Sequence, residues 1–516
     1  MSTPRNYGKE NALRHAAEPV RDLVFRDSAK VRALLTGLRY GAIFIAILLT
    51  SNFIVNLIGL VTFILFLVIA LLGFLYAYAS WHSLIIPFSM AVLAVGGFRF
   101  LWAVQMPGLP DVYLDRAAMI WLVVVFGVKS VVERKPLRPP FLLDTLILIN
   151  GIFLFVYILY HDFNNFNLWT KSYLLPYAAY FMAKNIVTDM KSMRTLLIVL
   201  AVINVYYAIT SIAEKFDINQ LIWPKSIIYT QTVWWNRSNG PFAHAPLFGT
   251  VQGMILPVYL YLIATSKSRL VKIMNYAALA LGFAGLYFTY TRGSWLAGIA
   301  ALTVAIVVNR GHYMKAIAPA LILLPLISVS FLGVTDDTVM KDRVENDVTM
   351  GSRVGVAVTV LRMWRDNPII GVGFFRYRFE REHYVDPVDV PIFGTINFTN
   401  FRHASIHDIY LGPLAETGLF GTLLQFSIYL LIFRTFMRHY RDPNCPPHFR
   451  QYLLPIFGGM FVGYHLGGIA IDYRFFSAVG VIFYSAAGII YGYTGDRDIP
   501  LTSGVDADGS AFNEKA

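Results

Sequence analysis

Long apolar segments alternate with short polar segments along most of the chain. A helix needs about 20 apolar residues to cross a hydrocarbon layer ~30 Å thick, and fourteen segments meet or approach this length. They lie at 39–56, 58–79, 83–104, 115–130, 141–160, 168–187, 195–213, 246–265, 272–291, 293–309, 316–334, 409–433, 452–471 and 475–493. The pattern predicts an all-α integral membrane protein with about 14 transmembrane helices.

Basic residues between these segments predict the orientation of the chain. Lys and Arg are concentrated in every second short loop, as in 129–138, 184–194, 267–272, 310–315 and 434–450. Cytoplasmic loops carry such an excess, so the long loops 214–245 and 335–408 are predicted to face outward. The predicted regions are a basic cytoplasmic tail (1–38), an N-terminal transmembrane bundle (39–213), a second transmembrane part (214–334), a long periplasmic loop (335–408), C-terminal transmembrane helices (409–494) and a disordered cytoplasmic tail (495–516).

Composition excludes several other classes of protein. Hydrophobic residues make up 56% of the chain and charged residues 14%, whereas soluble domains carry roughly 25% charged residues. The net charge of +12 fits cytoplasmic loops held against anionic headgroups and does not predict nucleic-acid binding. The chain has no P-loop, H-E-x-x-H, C-x-x-C or G-x-S-x-G motif, so no metal or cofactor is predicted. The single Cys445 excludes an intrachain disulfide.

The long outer loop contains one predicted helix. Between Gly351 and Asn367, apolar residues recur at helical spacing and basic residues lie mostly off that face. Pro368 ends the pattern, and a Gly-Val-Gly turn follows at 371–373. Such a helix either lies along the membrane surface or packs on the transmembrane bundle.

Three residues that could carry chemistry are predicted to lie on the outer face. They are Arg237 before the eighth segment, Arg292 between the ninth and tenth, and His407 before the twelfth. Arg237 alone would be explained as a lipid-phosphate anchor, and His407 alone as an interfacial histidine. Arg292 occupies a turn of almost no length between apolar runs, where a charge costs a few kcal/mol unless it faces a partner or water.

Four sequence blocks covering about 235–425 resemble the O-antigen ligase and polymerase superfamily, the Wzy_C domain. The blocks are Arg237-Ser238-Asn239-Gly240-Pro241-Phe242 with Gly249, then Thr291-Arg292-Gly293-Ser294, then Ser352-Arg353 with Asn367-Pro368-Ile369-Ile370-Gly371-Val372-Gly373, and finally His407-Asp408-x-x-Leu411-x4-Glu416-x-Gly418-x-x-Gly421. Two positions depart from the family pattern. Asp408 stands where many relatives have Asn, and His244-Ala245-Pro246 stands where a Pro-Asn pair is frequent.

The resemblance implies a GT-C-like, metal-independent glycosyltransferase of the bacterial inner membrane, with its active site on the periplasmic face. It would move a glycan from undecaprenyl diphosphate onto an acceptor hydroxyl. The acceptor would be another lipid-linked glycan in an O-antigen or exopolysaccharide polymerase, and lipid A-core in an O-antigen ligase. Membrane lipids, a flippase and a chain-length regulator are the other implied partners.

Residue roles follow from this chemistry. Guanidinium groups bind phosphate bidentately, so Arg237, Arg292 and Arg353 are predicted to hold the pyrophosphate. A histidine titrates near neutrality, so His407 is predicted to be the general base that takes the acceptor proton. Asp408 and Glu416 are predicted to be structural or supporting.

Helix geometry underlies the expectation for Glu416. It lies nine residues after His407, on the opposite face of an unbroken helix, although Pro413 could kink that helix. Gly418 and Gly421 are expected to allow close helix packing.

An anion or small-solute transporter is the alternative function, and a purely structural assembly partner is a third. Carriers place their ionisable site near the bilayer midplane. The predicted charged cluster here lies instead at the outer rim beside a long loop, which favours chemistry on a bulky substrate. A structural partner would not need Arg237, Arg292 and His407 on one face.

Overall fold

The computed structural model of the 516-residue chain describes residues 36–37, 39–44, 60–98, 103–104, 112–134, 137–161, 163–230, 237–315, 317, 348–390, 394–396 and 406–494. The chain divides into two compact units, Met1–Ala79 and Ser80–Ala516. The described residues are mostly helical, and their only strands form two short antiparallel pairs, β1 (Ala103–Val104) with β2 (Val112–Tyr113) and β3 (Val388–Val390) with β4 (Gly394–Ile396).

Thirteen helices of nine residues or more occur in the described ranges. They are α1 (Leu60–His82), α2 (Ile85–Leu93), α3 (Leu114–Val132), α4 (Leu142–His161), α5 (Leu175–Ile186), α6 (Met190–Lys215), α7 (Ala245–Thr265), α8 (Arg269–Tyr287), α9 (Arg292–Val308), α10 (Val348–Asp366), α11 (Leu411–Arg441), α12 (Leu454–Gly468) and α13 (Ser477–Thr494).

Twelve of the fourteen predicted segments coincide with helices, so the all-α membrane class is confirmed. Six helices in the described ranges, α1, α4, α6, α7, α8 and α11, are long and apolar enough to cross a membrane unaided, and α9 is among the shorter apolar helices. The segments at 39–56 and 316–334, and both predicted tails, lie largely outside the described residues. The count of fourteen and the GT-C architecture stay predictions.

Helix α7 is the centre of the second unit. Nearly all of its side chains are buried, from Leu247 to Ile263, as expected for a helix that is apolar on every face. Small residues let its neighbours approach closely, since a Cβ on Gly253 would lie 2.7 Å from the Cα of Gly298 in α9.

Several helix ends meet at one end of this unit. Helices α7, α9, α11 and α13 begin there, and α6, α8 and α12 end there. The amide of Ser238 donates to the carbonyl of Phe288 at 3.1 Å, which ties the segment before α7 to the end of α8. The amide of Ile409 donates to the carbonyl of Gly468 at 2.9 Å, which ties the segment before α11 to the end of α12.

The predicted loop helix is present as α10. Its residues Val360 and Met363 are completely buried in a small apolar cluster with Ala415 of α11 and Ile406. Of the two expected positions, packing on the transmembrane bundle is therefore the one observed. This contact brings the start of α10, with Arg353, next to the start of α11.

Candidate active site

Two predicted phosphate ligands lie together. Arg292 is the first residue of α9 and is exposed, and Arg353 lies in α10 and is also exposed. Partial burial of the guanidinium lowers the pKa of Arg353, repulsion by Arg292 lowers it further, and Asp408 acts in the opposite direction. The guanidinium groups of Arg292 and Arg353 are close enough to repel one another.

His407 lies beside this arginine pair. The residue is exposed, yet the protein around its imidazole lowers the pKa below the ordinary value, with a further contribution from Arg353 and an opposing one from Asp472. A histidine with a lowered pKa is neutral at neutral pH and can accept a proton.

Asp408 fixes the direction in which the chain enters α11. Its Oδ1 accepts hydrogen bonds from the amides of Tyr410 at 2.7 Å and Leu411 at 2.9 Å. Burial raises the pKa of this half-buried carboxyl, and the two amides partly offset the effect. A carboxylate at this position satisfies amides that the first turn of a helix leaves without partners.

Arg237 approaches the same end from the segment before α7, and His244 follows it as the N-cap of α7. The Nδ1 atom of His244 accepts a hydrogen bond from the amide of Leu247 at 3.3 Å. Burial, His407 and Arg237 lower the pKa of His244 to about 4. Because Nδ1 is the acceptor, the proton of this neutral imidazole lies on Nε2.

A buried ion network lies below this cluster. Arg474, in the turn between α12 and α13, makes a forked contact with Asp472, with Nε–Oδ1 at 2.9 Å and Nη2–Oδ2 at 2.6 Å. Its Nη1 also forms a salt bridge with Glu416 of α11. Burial alone would lower the pKa of Arg474, but the two carboxylates outweigh it and raise that pKa well above its ordinary value.

The network excludes a side chain at Gly412. A Cβ there would lie 2.1 Å from Nη2 of Arg474. The guanidinium also lies over the ring of Phe375 at 5.2 Å, within the range of a cation–π contact. Glu416 and Arg474 thus join α11, the 375 region of the long loop and the turn after α12.

The helix that carries Glu416 differs from expectation in two ways. Helix α11 begins at Leu411, so His407 is not part of it and the opposite-face argument for Glu416 does not apply. Pro413 lies in the first helical turn, where a missing amide costs nothing. The break lies at Gly418, whose φ of 62° and ψ of −160° are not helical. Gly418 therefore interrupts the helix, and the backbone that approaches it closely is the loop at Ile369 and not another helix.

Loop backbone fills this break. The amides of Leu419 and Phe420 donate to the carbonyls of Pro368 at 2.8 Å and Ile369 at 3.0 Å. In the other direction, the amides of Val372 and Gly373 donate to the carbonyls of Ala415 at 3.0 Å and Glu416 at 2.9 Å. We call these four bonds, between 368–373 and 415–420, the loop–helix joint.

The structure brings all six predicted site residues to one end of the second unit. Arg292, Arg353 and His407 form the exposed part, with Arg237 beside His244, whereas Glu416 lies in the buried network and Asp408 between the two. No group of three or more His, Cys, Asp or Glu placed to hold a metal occurs in the described ranges.

Sequence reasoning assigned no role to His244, Asp472 or Arg474. The last two lie in a very short turn between the apolar segments 452–471 and 475–493. The argument that singled out Arg292, a charge between two apolar runs, applies equally to Arg474 and would have found it. For His244 the only signal was the departure from the Pro-Asn pair.

One protein-family model matches the part of the chain that carries most of these residues. A comparison with curated proteins found no match. The model of the O-antigen ligase family, Wzy_C, matches residues 277–426, which include Arg292, Arg353, His407 and Glu416. Residues 277–426 of this membrane protein thus match the model of the O-antigen ligase family, which confirms the resemblance found in the sequence.

Proposed function

We propose that this protein transfers a glycan from undecaprenyl diphosphate onto an acceptor hydroxyl at the periplasmic face of the bacterial inner membrane. The observation that carries the proposal is the convergence of Arg292, Arg353 and His407 from α9, α10 and the segment before α11. Two cations beside a neutral imidazole suit an anionic leaving group and a hydroxyl nucleophile. The Wzy_C match over these residues supports the same chemistry.

The arginines act on the donor. Arg292 repels Arg353, and Asp408 acts on Arg353 in the opposite direction. A diphosphate bound between the two guanidinium groups would relieve their repulsion. Forked guanidinium groups orient phosphate oxygens and stabilise the negative charge that develops on the leaving group. Arg237 supplies a third positive charge from the segment before α7.

The reaction then balances as follows in atoms and charges. The acceptor oxygen attacks the anomeric carbon of the donor glycan, and the bond from that carbon to the diphosphate oxygen breaks with its electron pair staying on the oxygen. The hydroxyl proton passes to the neutral imidazole of His407. Lipid diphosphate and the extended or ligated glycan are the products.

His244 has a different role from His407 in this proposal. Its Nδ1 is occupied by the amide of Leu247, so Nε2–H is a fixed hydrogen-bond donor. With a pKa of about 4, this imidazole stays neutral and does not compete for the acceptor proton. It is a positioning residue that orients a donor oxygen next to His407.

The test is glycan transfer by purified protein with a lipid-linked donor. His407→Ala and His407→Gln are expected to lower turnover by roughly 10²–10⁴-fold while donor binding survives, because an amide cannot accept the proton. His312→Gln, at an exposed histidine just beyond the far end of α9, is the matched control and should keep full turnover. Near-normal turnover in His407→Gln would remove the base from the mechanism.

The same assay distinguishes the acceptors. A polymerase extends a second lipid-linked glycan, and a ligase transfers to lipid A-core; each acceptor is supplied alone. Failure to transfer to either, with anion flux in proteoliposomes, would favour the transporter.

Orientation is tested by cysteine labelling in a Cys445→Ser background. Arg365→Cys lies in α10 at an exposed position, and Lys267→Cys lies in a short loop predicted to be cytoplasmic. An impermeant thiol reagent added to whole cells with a permeabilised outer membrane should label position 365 only. Labelling of position 267 alone would place the proposed site in the cytoplasm and contradict the mechanism.

A further inference from the structure

A cavity of about 500 Å³ lies at the opposite end of α11 from the candidate active site. It is lined by the start of α4, the last turns of α11 and Tyr491 of α13. From Gly418 to Arg441 the helix rises about 35 Å at 1.5 Å per residue, roughly the thickness of a bilayer core. The cavity is therefore separate from the arginines and histidines described above.

Three arginines of α11 line this cavity. Arg434, Arg438 and Arg441 are four and three residues apart, so they project from one face of the helix. All three are exposed, and none takes part in an ion pair or a side-chain hydrogen bond within the described ranges. Three adjacent cations repel one another. An anion that bridges them therefore binds with a more favourable electrostatic energy than it would at any one of them alone.

The carboxylates that the structure describes near this cluster form no ion pair with it. Asp144, on the first turn of α4, forms a 2.5 Å salt bridge with buried Lys184 and accepts a hydrogen bond from Tyr180 at 2.7 Å. Asp442 accepts a hydrogen bond from the amide of Asn444 at 2.9 Å, and among the described residues it forms no ion pair with the three arginines. Within the part of the chain that the structure describes, the three guanidinium groups are thus available to a ligand.

The rest of the cavity lining is largely apolar. Phe141, Leu142 and Leu143 at the start of α4 lie across from α11, Leu431 of α11 precedes the arginines, and Leu142 is 64% exposed. Exposed apolar side chains continue from there along α4 and α11 towards the middle of both helices, as at Ile149 and Leu430. A ligand with an anionic head and an apolar tail matches both walls.

We propose that this cavity binds the phosphodiester headgroup of an anionic membrane phospholipid, with its acyl chain along Leu142 and Leu431. Basic pockets between helices at one membrane face recognise such headgroups. The forked guanidinium groups contact the phosphate oxygens, and the apolar wall distinguishes a lipid from a free anion. The proposal does not depend on the glycan-transfer reaction at the other end of α11.

The test measures lipid binding by the full-length protein in detergent, with phosphatidylglycerol and phosphatidylcholine as probes and retained lipid counted by native mass spectrometry. Each basic residue near an anionic surface contributes about fivefold to affinity. The double variant Arg434→Gln with Arg438→Gln should therefore lose roughly 25-fold in phosphatidylglycerol affinity and little for phosphatidylcholine. The corresponding double Lys variant should fall between, because it keeps charge but not the fork.

The control removes two charges from the same end of the unit without altering the cavity. Arg269→Gln with Lys272→Gln, at the start of α8, should retain phosphatidylglycerol. An equal loss in this control would mean that only the general field attracts the lipid and would overturn the proposal, as would unchanged affinity in the Arg434 and Arg438 variant. Displacement of the lipid by 10-fold excess inorganic phosphate would show a free-anion site and overturn the lipid assignment.

Discussion

Replacement of Gly418 by alanine tests whether the loop–helix joint holds the candidate site together. The φ of 62° and ψ of −160° at this residue belong to a region that is essentially restricted to glycine, and a side chain there costs on the order of 1–3 kcal/mol. The added Cβ would also lie 2.5 Å from the carbonyl carbon and oxygen of Ile369 and 2.6 Å from the amide nitrogen of Gly371. These are backbone atoms, so relief of the contact requires the loop to move away.

The structure indicates the size of the effect. Movement of the loop at Ile369 breaks the hydrogen bonds to the amides of Leu419 and Phe420, and each is worth about 1 kcal/mol. Together with about 2 kcal/mol of backbone strain, Gly418→Ala should make local opening of the joint easier by about 4 kcal/mol. Hydrogen exchange of the amides at 371–373 and 419–420 should then lose up to about three orders of magnitude in protection.

Gly127→Ala provides the matched control for this experiment. Gly127 lies in the interior of α3, and no atom lies within 4 Å of the position that an added Cβ would take, so alanine should be neutral or up to about 1 kcal/mol stabilising. Hydrogen exchange is measured by mass spectrometry on both variants in the same detergent. Protection at the joint within threefold of the wild-type value in Gly418→Ala would refute the assignment of the joint to this glycine's conformation.

Substitutions at four further positions test the site. Arg292→Lys is expected to lose most transfer activity and Arg292→Ala nearly all of it at normal protein levels, because Lys keeps the charge but not the forked geometry. Full activity in the alanine variant would mean that Arg292 only anchors the chain to lipid headgroups. Arg353→Gln removes a cation that lowers the pKa of His407, so the acid limb of the pH profile of kcat/KM should move to higher pH. An unchanged acid limb would mean that Arg353 does not affect the protonation of His407. His244→Asn keeps both the N-cap acceptor and a hydrogen-bond donor, so the KM for the lipid-linked glycan should stay low. His244→Ser keeps only the N-cap acceptor and should raise that KM. Equal KM values in the two variants would mean that His244 acts only as the N-cap of α7. Arg474→Met leaves two buried carboxylates without a counter-charge and should destabilise the fold by about 3–5 kcal/mol in detergent unfolding, and a neutral result would show that water reaches them.

Hydropathy and charge were sufficient for the class of protein and for most helices. Crossing a membrane requires long apolar runs because polar side chains lose their hydration in the hydrocarbon core. It requires helices because no water is present there to pair backbone groups. The apolar runs are visible in any window of sequence. The helix in the long loop was also predictable from the sequence, because Pro368 ends a periodic apolar pattern. The structure shows this segment as α10, Val348–Asp366.

The residues of the candidate site were only partly predictable from the sequence. Arg292 and His407 stood out because charges at the ends of apolar runs are costly, and family motifs added Arg353 and Arg237. Their convergence could not be derived from spacing, because it depends on α10 packing on α11 through Val360 and Met363. The same residues on a helix lying along the membrane surface would have left Arg353 apart from His407.

Tertiary contacts alone decided the remaining features. The sequence determined which residues are helical and which charged side chains lie next to apolar segments, where they lose hydration. Both are local properties of composition and hydrophobic period. Only the folded chain decided that Glu416 meets Arg474, that Gly418 rather than Pro413 interrupts α11, and that His244 lies beside His407. Each of these depends on atoms that segments far apart in the chain bring to one end of the bundle, and a single sequence carries no measure of such distances.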